Sequence, residues 1–85
     1  MSGAAPEPTI TVFSTSWCGY CSRLKAQLTR SGVTYVEVDI ERDPAAARFV
    51  ERANRGNRTV PTVLLPDGTT LTNPPIAMVL KRLTS

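Results

Sequence analysis

The chain has 85 residues, ten Lys and Arg against seven Asp and Glu, two cysteines and no histidine. That length suits one small domain, and with no apolar run near the roughly 20 residues that cross a bilayer, no membrane span is expected. Without histidine, Cys–His hydrolytic chemistry is excluded outright, and a net charge of only +3 argues against a nucleic-acid surface around Arg48, Arg52, Arg55 and Arg58.

Residues 1–8, "MSGAAPEP", are small and Pro-rich and read as a disordered leader to a domain over 9–85. They show no basic start before an apolar stretch, so the expected compartment is the cytoplasm. "TITVF", residues 9–13, reads as a buried strand. Between Cys18 and Ser31, Cys21, Leu24 and Leu28 recur at helical spacing, and Ser31-Gly32 supplies the stop. "VTYVEVDI", residues 33–40, predicts a strand with Val36, Val38 and Ile40 inward and Tyr35, Glu37 and Asp39 in water. Asp43-Pro44 starts a second helix with the apolar stripe Ala46, Phe49, Val50 and Ala53, and the Arg48–Arg58 group is its solvated face. Two β-prone runs within 59–72, joined by Pro66-Asp67-Gly68, predict a hairpin with Gly68 in a left-handed conformation. Asn73 reads as the cap of a third helix opening at Pro74 and burying Ile76, Val79, Leu80 and Leu83. The order βαβαββα implies an α/β fold: a four-stranded mixed sheet with three helices.

The chemistry is concentrated in "STSWCGYCSRL", residues 14–24. The thiolate is the nucleophile, and an ordinary thiol is only about 3% ionised at pH 7. With no histidine, the activator left to Cys18 is the helix N-terminus, whose unpaired N–H groups and dipole favour an anion. Cys21 follows at i+3, roughly 5 to 6 Å away and within disulfide reach. It lies on the apolar stripe, where burial keeps a thiol protonated. Hence Cys18 is expected to attack and Cys21 to resolve or hold the disulfide. The bland alternatives are two inert core thiols and half of a structural zinc site; against the first, Cys18 falls in what should be an exposed loop end, and against the second, zinc wants four ligands.

With these motifs in hand, the chain resembles the glutaredoxins of the thioredoxin superfamily, and among them the mycoredoxins. "WCGYC" at 17–21 and "GNRTVPTV" at 56–63 follow the glutaredoxin pattern, and "DGTTLTNP" at 67–74 is mycoredoxin-like. The resemblance implies a cis proline at Pro61 facing the nucleophile, with Thr59 and the Val60 backbone lining a substrate groove. It also implies that Trp17, Gly19 and Tyr20 border that groove and that Arg58 can meet a substrate carboxylate. Glutathione users carry a lysine before the motif and an acidic pair at the third helix. Here Thr15 and Ser16 precede the motif and "LTNPPIA" at 71–77 has no acid. Thr72 and Asn73 could instead meet the hydroxyls of mycothiol, a sugar-based thiol, although capping is the simpler role for Asn73. The reading is a monomeric thiol–disulfide oxidoreductase that reduces mycothiol mixed disulfides on proteins. It binds no cofactor, takes mycothiol as co-substrate, and draws on NADPH through a mycothiol disulfide reductase. Two alternatives stay open: a thioredoxin-like dithiol reductase fed by a flavoprotein, and a dimeric iron–sulfur cluster carrier, which Gly19 permits.

Overall fold

The computed structural model describes residues 9–84, so the leader expected over 1–8 lies outside the described residues. The elements run β1 (Ile10–Ser14), α1 (Gly19–Arg30), β2 (Tyr35–Asp39), α2 (Pro44–Ala53), β3 (Thr62–Leu64), β4 (Thr70–Thr72) and α3 (Ile76–Thr84). They form one four-stranded sheet in the order β2-β1-β3-β4. β1 is parallel to β2 and antiparallel to β3, which pairs antiparallel with β4. This is the mixed sheet and βαβαββα order that the sequence implies.

Because strand side chains alternate, β1 feeds two cores. Ile10 and Val12 join Val63, Leu24 and Leu28 of α1, and Val79 of α3, on one face. Phe13 joins Ala46, Ala47 and Val50 of α2 on the other, with the Phe13 and Phe49 rings 5.1 Å apart. Local signals set the boundaries. Gly32 at φ +74° closes α1, with the Val33 N–H on the Leu28 carbonyl at 2.9 Å. Asp43 caps α2 by accepting from the Ala46 N–H at 3.1 Å. The turn at 65–68 closes through the Gly68 N–H on the Leu65 carbonyl at 2.9 Å, with Gly68 at φ +91°.

Three expectations need correction. Val36 does not face the core: β2 is an edge strand, and Val36 is 52% exposed, whereas Tyr35 packs on the α1/α3 core. On α2 the inward position falls to Ala47, and Ala53 is exposed. Asn73 does not cap α3, which opens only at Ile76. Pro75 disfavours helical backbone at Pro74, so the chain cannot start the helix there. Asn73 takes a left-handed φ of +44°, and its N–H bonds the Pro61 carbonyl at 2.7 Å.

Candidate active site

The end of β1 delivers Cys18 to the N-terminus of α1, where it is the N-cap. Its Sγ accepts from the Cys21 N–H at 3.1 Å, the N-cap contact that Ser or Asp oxygens usually make. The same atom lies 3.8 Å from the Val60 carbonyl, to which the thiol donates. A sulfur held by an orphan helix N–H is where negative charge on sulfur is best tolerated. Contrary to the exposed loop end expected from sequence, Cys18 is only 6% exposed, while its neighbours Trp17 and Tyr20 are 71% and 64% exposed. The two aromatic side chains face solvent, and the sulfur is tucked against the Val60 carbonyl.

Cys21 is 1% exposed, on the stripe with Leu24 and Leu28, and both cysteines are free thiols. Burial, reinforced by hydrogen bonding to Cys18, pushes the Cys21 thiol up to about 12. Behind it lies a polar chain that sequence reasoning missed. Lys25 pairs with Glu37 at 2.7 Å, and the buried Ser14 hydroxyl donates to the same carboxylate oxygen at 2.7 Å. These two hydrogen bonds, Lys25 first, hold Glu37 below its ordinary value, and the bond to Glu37 holds Lys25 above its own. The i+4 spacing of Lys25 from Cys21 was visible in the sequence; its partner across on β2 was not.

The opposite wall is the segment before β3. The Val60–Pro61 bond is cis and Pro61 is buried. The Thr59 carbonyl accepts from the buried Thr62 hydroxyl at 2.8 Å, and that hydroxyl accepts from Asn54 at 3.1 Å. Asn54 ends α2, and its side-chain oxygen also accepts from Thr72. One amide thus joins α2, β3 and β4 behind the Thr59–Pro61 wall. The Thr72 hydroxyl is committed to this brace, and Arg58 is tied to Glu51 at 2.6 Å. Gly19 opens α1 with nothing within 4 Å of where a Cβ would stand, and the Trp17 indole donates to Glu41 at 3.0 Å. The structure therefore brings Cys18, Cys21 and Val60 together and joins Pro61 to Asn73, while Trp17, Arg58 and Thr72 have protein partners.

Along α1, Tyr20, Arg23 and Gln27 face residues 73–76 across a cleft of about 330 Å³. Tyr20 and Asn73, expected at the site, stand on opposite walls of it. Arg23 and Gln27 were not anticipated, although they follow Tyr20 at i+3 and i+7 on one helix face.

The glutaredoxin family model matches residues 10–69. The chain belongs to the glutaredoxin family. This glutaredoxin is 62% identical over 65 residues to a glutaredoxin-like protein of Mycobacterium tuberculosis, covering 76% of this chain and 77% of that one. It is 40% identical over 74 residues to mycoredoxin 1 of Corynebacterium glutamicum, covering 87% and 91%. Among solved structures, a thioredoxin-like protein superposes with a TM-score of 0.72 at 28% identity, over 87% of this chain and 97% of that one. A buckwheat glutaredoxin–glutathione complex gives 0.64 at 28% identity, over 76% and 60%. These kinships make the protein a glutaredoxin-type thiol oxidoreductase.

Proposed function

We propose that this glutaredoxin reduces mixed disulfides between mycothiol and proteins, with Cys18 as the nucleophile. The observation that carries the reading is the position of the Cys18 sulfur: capped by the Cys21 N–H at 3.1 Å and beside the Val60 carbonyl. Cys18 thiolate attacks the mycothiol sulfur of the mixed disulfide. One S–S bond forms as the other breaks, and the target leaves as a thiolate. A second mycothiol thiolate attacks the mycothiol sulfur on Cys18, freeing the enzyme and forming mycothiol disulfide. Two electrons from NADPH, delivered by a mycothiol disulfide reductase, return that product to two thiols.

The choice of mycothiol rests on the similarity to mycoredoxin 1 and on the chemistry of residues 71–77, which hold no acid for a glutathione amine. The bound thiol lies against Thr59, Val60 and Pro61, with Tyr20 at its edge. Asn73, fixed to Pro61 through its N–H, turns an exposed amide toward sugar hydroxyls. The Thr72 hydroxyl and Arg58 act by holding the wall through Asn54 and Glu51.

With its thiol pushed up to about 12, Cys21 competes only slowly with the second mycothiol for the Cys18 mixed disulfide. It forms the internal disulfide when protein disulfides are reduced. The enzyme acts as a monomer in the reducing cytoplasm; no helix among the described residues is long and apolar enough to cross a membrane. The test is kinetic. A Cys21→Ser variant keeps turnover of mycothiol mixed disulfides and a Cys18→Ser variant has none. Turnover by the Cys18 variant ends the proposal.

A further inference from the structure

Charge is unevenly spread over the molecule. α1 and α3 carry Arg23, Lys25, Arg30, Lys81 and Arg82 and no acid, while the acids of the described residues sit on β2, α2 and the connecting loops and turn. Lys25 is neutralised by Glu37. Arg23 is exposed on the wall of the 330 Å³ cleft, opposite residues 73–76, and no carboxylate lines that cleft. Its other walls include Tyr20, Leu24, Pro74 and Ile76, with two amide residues, Gln27 and Asn73. An aromatic and apolar floor with one cation and two amides suits a short stretch of polypeptide bearing a carboxylate, which Arg binds through charge-assisted hydrogen bonds. A neutral sugar thiol would leave Arg23 without a charged counterpart.

We infer that the cleft between α1 and the entry to α3 docks the target polypeptide, and that Arg23 selects targets with an acidic side chain near the reacting cysteine. This rests on the reading of Cys18 as nucleophile. Arg23 stands five positions after Cys18, a rise of roughly 8 Å along the helix. An extended chain covers that in two to three residues at about 3.3 Å each, so the acid belongs about three residues from the target cysteine.

The experiment uses the Cys21→Ser protein and alanine-based peptides whose single cysteine is activated as a nitrothiobenzoate disulfide. Cys18 attacks the peptide sulfur, and the released aromatic thiolate reports the rate. One peptide carries Asp three residues to each side of the cysteine, its twin carries Asn, and a third carries Lys. The Asp peptide reacts about fivefold faster than the Asn twin, as expected for an exposed ion pair. That ratio falls to about one in Arg23→Gln, inverts toward the Lys peptide in Arg23→Glu, and survives in Arg30→Gln, which removes the same charge outside the cleft. A wild-type ratio near one, an unchanged ratio in Arg23→Gln, or an equal loss in Arg30→Gln overturns the inference. The reaction needs only Cys18 and the peptide disulfide, so its outcome is independent of whether mycothiol is the physiological thiol.

Discussion

Thr62→Val removes the brace behind the substrate wall while nearly preserving side-chain volume. Thr62 is fully buried, and its hydroxyl both donates to the Thr59 carbonyl at 2.8 Å and accepts from the Asn54 amide at 3.1 Å. Each bond contributes about 1 kcal/mol net, and stranding a partner costs more where water cannot reach it. Thr59 and Asn54 are half-buried, so water satisfies them in part and the loss stays near the sum of the two bonds. The added methyl returns under about 1 kcal/mol through burial. The net loss is about 1.5 kcal/mol, or about 6 to 12 °C in Tm for a domain of this size. Thr62→Ser keeps the hydroxyl and opens only a methyl-sized gap, so it melts above the valine variant. Thermal unfolding followed by circular dichroism checks the order. Turnover of a mixed disulfide adds a second readout, because a loosened Thr59–Pro61 wall raises KM more than it lowers kcat. A Thr62→Val protein that melts within about 2 °C of wild type, or above Thr62→Ser, refutes the reasoning.

With its thiol pushed up to about 12 and only 1% exposed, Cys21 resists alkylation: at pH 8 iodoacetamide adds one group per native molecule, mapped by mass spectrometry to Cys18, and two groups added at similar rates would contradict this. Glu37 is held below 4.5, so its contribution to stability is present above that value and is lost as pH falls through the lowered one. Lys25 is held above 10.5, so its contribution is full below that value and is lost as pH rises through the raised one. Glu37→Gln accordingly lowers stability by about 0.5 to 1 kcal/mol between about pH 5 and 10, a modest figure because the pair is partly exposed, and flattens the acid limb of a urea-denaturation profile. An acid limb as steep as wild type would show that Glu37 carries no such linkage.

Local signals carried most of the fold. The Gly32 and Gly68 turns, the Asp43-Pro44 start and the Cys21-Leu24-Leu28 stripe are each written within a few residues, and each appears where those residues put it. The failures had non-local causes. Whether Val36 is covered depends on β2 lying at the sheet edge, which alternation along β2 cannot report. The delay of α3 depends on two prolines in succession; a single Pro after Asn73 would have fitted the expected cap. At the site, the thiols were legible because their chemistry is local, whereas the 59–61 wall was legible only through the resemblance to the glutaredoxins. Asn54 was not, since an amide at the end of a helix gives no hint that it will reach Thr62 and Thr72 on two strands. Glu37 was equally hidden: along β2 it reads as a solvated acid, and only the packing of α1 on the sheet places Lys25 against it.

The central claim is that this glutaredoxin works with mycothiol. The most direct measurement is turnover of one protein mixed disulfide prepared with mycothiol and with glutathione, each supplied with its own free thiol as reductant. The account predicts a kcat/KM at least about tenfold higher for mycothiol, the equivalent of about 1.4 kcal/mol of preferential transition-state binding. Equal values, or a preference for glutathione, would contradict it.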